Sequence, residues 1–119
     1  MTDRLRIALA QLNPKVGDLP GNLALARKAL ADAVAAQADI LLLSELFLTG
    51  YFPDDLLFKP QFIRDAMQAA RDLVAGTAGT DVVLILPTVW WDKNALHNAV
   101  VVAEKGEIIA TRYKRELPN

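Results

Sequence analysis

Two charged residues, Glu45 and Lys114, each follow a segment whose composition is typical of a strand. Glu45 comes just after the apolar run 40–43, and an unbroken apolar run of this length is typical of a strand buried on both faces. Ligands in α/β proteins bind at the carboxyl ends of strands, so a glutamate there is a candidate general base. A lysine at a second strand end could hold a developing oxyanion if both side chains share one pocket. We therefore expect both side chains in one cleft, buried, at the carboxyl ends of neighbouring strands.

Each residue also has an ordinary structural interpretation. Glu45 could be a rim carboxylate that hydrogen-bonds backbone or pairs with a lysine, and Lys114 could belong to a solvated basic run with Arg112 and Arg115. The sequence has no cysteine and a single histidine, His97, so it supplies no thiol nucleophile and no histidine base that the sequence assigns to a serine. The pair therefore lacks a nucleophile within this chain.

The composition limits the classes of protein to which the chain could belong. With 119 residues, of which 53% are hydrophobic, it forms one domain at most and is not disordered. A net charge of −1 argues against a nucleic-acid or membrane partner. We expect no metal site, because cysteine is absent and histidine occurs once. No signal segment or membrane-spanning run is recognised, so a cytoplasmic protein is expected.

Hydrophobic periodicity predicts the element order β-α-β-α-β-β-β, which is an α/β domain with a central sheet and helices on one face. Asn22 is predicted to cap the first helix, and residues 88–98, with Trp90 and Trp91, are predicted to be irregular. The two tryptophans are expected to pack or form an interface, and Asn98 to be structural. The predicted elements are strand 5–10, helix 23–37, strand 39–45, helix 60–75, strand 82–86, and hairpin strands 99–103 and 107–112.

Several motifs resemble the nitrilase (carbon–nitrogen hydrolase) superfamily. Glu45 and Lys114, 114 − 45 = 69 positions apart, look like the first two members of its Glu-Lys-Cys triad, at a similar separation. The stretch 48–60 is similar to the glutaminase domain of glutamine-dependent NAD synthetases, and the resemblance covers essentially the whole chain. His97 stands where the family more often has tyrosine, and Phe52 where these synthetases often have proline. The other matching segments are 10–13, 16–18, 21–22, 87–88 and 97–102.

The resemblance implies a partial nitrilase-type α-β-β-α sandwich. Residues 1–119 would be the N-terminal portion of the glutaminase domain, truncated before the nucleophilic cysteine. In the family the glutamate activates the cysteine, the thiolate attacks the glutamine carboxamide, and the lysine stabilises the oxyanion. The resemblance gives Glu45 the base role, Lys114 the lysine role, and Tyr51 a place lining the glutamine pocket, with an ordinary core or rim tyrosine as the alternative for Tyr51.

The resemblance also implies what the parent enzyme binds. Its synthetase domain would use the released ammonia for ATP-dependent synthesis of NAD from deamido-NAD, with ATP and Mg bound there and no cofactor in this chain. The expected partners are glutamine, the remainder of the parent enzyme and further copies in a homo-oligomer, and this chain alone is expected to be inactive. Two alternatives stay open: a nitrilase-type amidase with another substrate, and a non-catalytic interaction module, which the absent cysteine suggests.

Overall fold

The computed structural model describes residues 4–51 and 53–114, so the expectations for Phe52 and for residues 115–119 lie outside the described residues. The order of strands and helices is the one predicted from the sequence. A short 3₁₀ helix, Asp54–Phe58, interrupts the long connection after the second strand. The strands and helices are β1 (Ile7–Ala10), α1 (Leu19–Ala35), β2 (Ile40–Leu43), α2 (Pro60–Ala75), β3 (Val83–Asp92), β4 (Ala95–Glu104) and β5 (Glu107–Tyr113).

The five strands form one mixed sheet in the order β1-β2-β3-β4-β5. β1, β2 and β3 are parallel, whereas β4 is antiparallel to both β3 and β5. Two reversals of direction leave β5 parallel to β2, so the carboxyl ends of both strands lie at the same edge of the sheet. Within the described ranges, no helix is long and apolar enough to cross a membrane.

The hydrophobic core lies between the sheet and the two helices. Both helices contact each other and the sheet, and the strand residues facing them are almost fully buried, such as Leu41, Leu84 and Val101. The opposite face of the sheet is apolar but open, and Ile7 and Leu9 there are more than half exposed. This arrangement confirms a central sheet with helices on one face.

The start of α1 differs from the prediction. The helix begins at Leu19, and the carboxylate of Asp18 caps it by accepting a hydrogen bond from Gly21 N at 3.1 Å. Pro20 suits this first turn because a proline there lacks an N–H that would otherwise stay unpaired. The prediction that Asn22 is the N-cap is therefore wrong, and Asn22 lies inside the helix with 1% of its surface exposed.

Residues 88–98, predicted to be irregular, form the β3–β4 hairpin. Pairing runs from Leu84 with Ala103 to Asp92 with Ala95, and Lys93 and Asn94 form a two-residue turn with φ of 51° and 61°. Pro87 lies within β3 although proline has no N–H to donate. The pairing of β2 with β3 ends at Ile85, so Pro87 removes no hydrogen bond between these two strands.

Candidate active site

Glu45 lies in a tight turn that begins as β2 ends. The next residue, Leu46, has φ of 53° although its side chain is 4% exposed, and a leucine in this left-handed region is strained. Phe47 and Leu48 are fully buried, and Thr49 Oγ1 donates to Leu46 O at 3.2 Å, so packing and hydrogen bonding hold the turn. The strained backbone returns Leu46 to the core and leaves Glu45 at the surface.

Buried Asn22 anchors this turn to the loop before α1. Its Nδ2 donates to Lys15 O at 2.7 Å and to Leu48 O at 2.9 Å, while its Oδ1 accepts from Lys15 N at 2.8 Å. Gly17 N also donates to Thr49 O at 2.9 Å. Two chain segments that are remote in sequence are thereby joined beside Glu45.

Lys114 follows β5 and reaches Glu45 from the other side. Its Nζ donates a hydrogen bond to Glu45 Oε1 and forms an ion pair with that carboxylate, and its backbone N donates to Asn98 O at 2.8 Å. The structure therefore brings Glu45 and Lys114 together at one edge of the sheet.

Two details of the predicted site are wrong. β2 and β5 are not neighbours, because β3 and β4 lie between them. The side chains are not buried, since 42% of Glu45 and 46% of Lys114 remain exposed. The pair lies on the open face of the sheet, where the described residues supply little cover.

Asn98 on β4 is a third member of the cluster, for which the sequence predicted only a structural role. Its Nδ2 donates to Glu45 Oε1 at 3.2 Å. Its Oδ1 is buried and has no hydrogen-bond partner among the described residues. An amide directly before the apolar run 99–103 was the signal in the sequence, but the contact itself joins residues 53 positions apart.

The electrostatics of the cluster favour an ionised carboxylate. The hydrogen bond from Lys114 lowers the pKa of Glu45 below its usual value, the hydrogen bond from Asn98 lowers it further, and slight burial opposes both. A neighbouring lysine lowers the pKa of a carboxyl group and burial raises it, and the sequence alone does not decide between them. In the structure the hydrogen bonds prevail, so Glu45 is charged at neutral pH and able to accept a proton.

An open cleft of about 380 Å³ lies beside Glu45, within the size range of small-molecule sites. Tyr51 lines the same cleft as Glu45, and its side chain is 64% exposed. The remaining lining residues are Leu12, Asn13, Pro14 and Ser44.

A stacked aromatic pair supports the hairpin that carries Asn98 and Lys114. The rings of His97 and Tyr113 stack with centroids 4.0 Å apart, and Tyr113 OH donates to Asp92 Oδ2. This hydrogen bond raises the pKa of Tyr113 and lowers that of Asp92. Since His97 and Tyr113 directly precede Asn98 and Lys114, their side chains project from the opposite face and lie outside the cluster.

A larger cavity of about 530 Å³ lies away from Glu45, between the 3₁₀ helix, α2 and Trp91. Apolar side chains such as Phe58 and Met67 line most of it. Trp90 instead packs under Arg71 of α2, whose Cζ is 5.2 Å from the ring centroid. The tryptophans therefore pack against α2 and do not reach the carboxylate cluster.

The fold and the cluster define an α/β domain with a carboxylate–ammonium pair at the carboxyl edge of its sheet. Residues 6–119 match the carbon–nitrogen hydrolase family. The chain belongs to this family, as its resemblance to the nitrilase superfamily predicted.

Curated relatives and solved structures agree with this assignment. The chain is 45% identical over 119 residues to the glutamine-dependent NAD(+) synthetase of Rhodobacter capsulatus, and 39% identical over 116 residues to that of Thermotoga maritima. These matches cover 100% and 98% of this chain but 21% and 20% of the relatives, so the chain spans about a fifth of their length.

Two solved structures show how widely the fold is shared. The glutamine-dependent NAD(+) synthetase from Cytophaga hutchinsonii superposes with a TM-score of 0.87 at 26% identity, covering 97% of this chain and 20% of that one. An amidase from Nesterenkonia sp. superposes with a TM-score of 0.79 at 25% identity, covering 97% of this chain and 44% of that one. The fold is therefore that of the nitrilase superfamily.

Proposed function

We propose that this chain supplies the general base and the oxyanion-stabilising lysine of a glutaminase site in a glutamine-dependent NAD synthetase. The observation that carries the proposal is the hydrogen-bonded ion pair between Lys114 and Glu45. An ionised carboxylate can serve as the general base in acyl transfer from an amide, and an ammonium beside it can stabilise the developing oxyanion.

In this proposal Glu45 accepts the proton of a cysteine thiol that lies outside these 119 residues, since the chain contains no cysteine. The thiolate then attacks the carboxamide carbon of glutamine in the cleft beside Tyr51. Lys114 stabilises the negative charge that develops on the carbonyl oxygen. Ammonia leaves with the proton returned by Glu45, and water hydrolyses the thioester. The chain alone would release no ammonia from glutamine.

The two curated relatives compared above support the wider role, because both are glutamine-dependent NAD(+) synthetases. In the complete protein the ammonia would be used for ATP-dependent NAD synthesis from deamido-NAD, with ATP and Mg bound by a synthetase domain. The remainder of the protein would cover the open apolar face of the sheet, and the complete enzyme would be a cytoplasmic homo-oligomer.

Substituting Glu45→Gln in the complete protein tests the proposal. We expect glutamine-dependent NAD synthesis to be lost and ammonia-dependent synthesis to be retained, because the change removes the base without altering the synthetase site. Both nitrogen sources should be assayed with the same preparation. Equal loss with glutamine and with ammonium chloride would show that Glu45 supports folding instead of glutamine hydrolysis.

A nitrilase-type amidase with another substrate is the second candidate, and the superposition on the Nesterenkonia amidase favours it. Short aliphatic amides assayed beside glutamine separate the two. Ammonia release from those amides but not from glutamine would replace the first proposal by the second.

A further inference from the structure

Asn98 contacts both members of the Glu45–Lys114 pair. Its side-chain Nδ2 donates to Glu45 Oε1 at 3.2 Å, and its main-chain carbonyl accepts from Lys114 N at 2.8 Å. β4, which carries Asn98, adjoins β5, and β3 separates it from β2. Among the described residues, Asn98 is therefore the one that lies between the ends of β2 and β5 and contacts both Glu45 and Lys114.

We propose that Asn98 is a positioning residue that orients the Glu45 carboxylate, so that Oε1 is held by donors and Oε2 accepts the proton. This inference rests on the base role proposed above for Glu45. Two donors from residues 4–51 and 53–114 reach the carboxylate, namely Lys114 Nζ and Asn98 Nδ2. Both of them donate to Oε1. Two donors on one oxygen fix the plane of the carboxylate and leave the other oxygen as the basic one.

The surroundings of Asn98 fix its own position. It pairs with Val89, which is 3% exposed, and the next residue on β4, Ala99, is fully buried. The stack of His97 on Tyr113 clamps β4 to β5 from the other face, one residue before Asn98 and Lys114. A side chain on a rigid strand holds a partner more narrowly than one on a loop.

Within residues 4–51 and 53–114, few other groups act on the charge of Glu45. Lys114 is the charged residue that contacts it among the described residues, and Tyr51 is the other titratable group lining its cleft. The hydrogen bond from Asn98 lowers the pKa of Glu45, so removing that donor should raise it. A change at Asn98 should therefore appear in the pH dependence of glutamine hydrolysis.

Two substitutions in the complete protein test the inference. Asn98→Ala removes the donor but keeps the main-chain carbonyl that holds Lys114, and Asn98→Asp replaces the donor by an acceptor of the same shape. We expect the acidic limb of the pH profile of kcat/KM to move to higher pH in the alanine variant and further in the aspartate variant.

The matched control is Gln68→Ala, which removes an amide donor from a carboxylate, Asp72, on α2 (Nε2 to Oδ1, 2.9 Å). The pH profile of this variant should equal that of the wild type. An acidic limb that stays in place in Asn98→Ala while it folds would overturn the inference. If Asn98→Ala unfolds β4, Asn98→Asp is measured instead. An acidic limb that stays in place in this variant would likewise overturn the inference.

A second measurement does not depend on turnover. With asparagine-selective ¹⁵N labelling, the Asn98 side-chain amide signals should shift with pH in step with the ionisation of Glu45, and Glu45→Gln should abolish that shift. Amide signals that do not titrate would refute the contact, whatever the activity. Absence of glutamine hydrolysis in the wild type would instead refute the proposed function and leave this result interpretable.

Discussion

Lys114 Nζ donates to Glu45 Oε1 although the two residues lie 69 positions apart and follow strands that two other strands separate. Three strand spacings of about 4.8 Å would keep their backbones about 14 Å apart within the sheet. The turn after β2 closes this distance by carrying Glu45 toward Asn98 on β4, which also donates to the carboxylate. The site therefore depends on the turn as much as on the strands.

Lys114→Ala in the complete protein should lower glutamine-dependent turnover by about 10²–10³-fold, because a positioned donor to the oxyanion is lost. The substitution should also shift the acidic limb of the pH profile of kcat/KM for glutamine. Lys114 lowers the pKa of Glu45, and the base acts in its ionised form, so its removal moves the limb to higher pH. Steady-state rates from pH 5 to pH 9 measure both effects. Lys105→Ala, which breaks an exposed ion pair with Asp81, is the control and should retain wild-type rates.

The same substitution should change stability little. A carboxylate with a lowered pKa stabilises the folded state above its unfolded pKa, and this contribution is lost as the pH falls through the folded pKa. Both side chains are more than two-fifths exposed, so solvent screening limits the loss in Lys114→Ala to less than about 1 kcal/mol at neutral pH. A much larger loss in urea unfolding would assign Lys114 a structural role.

Gly50→Ala should destabilise the fold more than Gly79→Ala does. Both glycines have positive φ, 77° and 75°, so alanine costs about 1–2 kcal/mol of backbone strain at either position. A Cβ at Gly50 would also lie 2.6 Å from the N and Cα atoms of Val16, whereas one at Gly79 meets nothing within 4 Å. The difference between the urea unfolding midpoints of the two variants measures the destabilisation that this contact adds. Equal midpoints would mean that the loop before α1 moves aside freely.

Asn22→Ala should cost about 2–4 kcal/mol, because the buried amide makes three hydrogen bonds, to both backbone groups of Lys15 and to Leu48 O. The substitution would leave the carbonyl of fully buried Leu48 without this donor and would release the backbone of Lys15 from the turn. Gln61→Ala, which removes an exposed amide bonded to Asp65, is the matched control and should cost less than about 0.5 kcal/mol. A similar loss in both variants would show that Asn22 is not the anchor of the turn.

The 119-residue chain should self-associate at micromolar concentration through the open face of its sheet. Ile7 and Leu9 on this face are more than half exposed, and β1 is an unpaired edge in the described sheet. An interface of about 1,600 Å² would be enough for a stable dimer. Sedimentation velocity should show dimers or larger species that Leu9→Lys weakens. Val34→Lys on α1, also exposed, should leave association unchanged, and a wild-type monomer would contradict the prediction.

The sequence alone determined the elements whose signals are local. The apolar run 40–43 forms the predicted strand, Pro60 begins α2, and Gly106 has the positive φ that glycine readily adopts in a hairpin turn. The approach of Glu45 to Lys114 was also predictable, because each follows a strand and the motifs resemble those of the family. These features depend on side-chain type and spacing along one segment.

Tertiary structure decided the features that depend on pairs of remote segments. Residues 88–92 and 95–98 became strand because β3 and β4, of ten residues each, pair at nine positions, which no local propensity shows. Asn22 became an anchor instead of a cap because Asp18 capped the helix one turn earlier and placed the amide between two loops. Asn98 entered the site because its strand lies between the two charged residues, and Glu45 stayed exposed because the turn at Leu46 left it outside the core. Contacts of this kind follow from the packing of the whole sheet, and a single segment of sequence carries no signal for them.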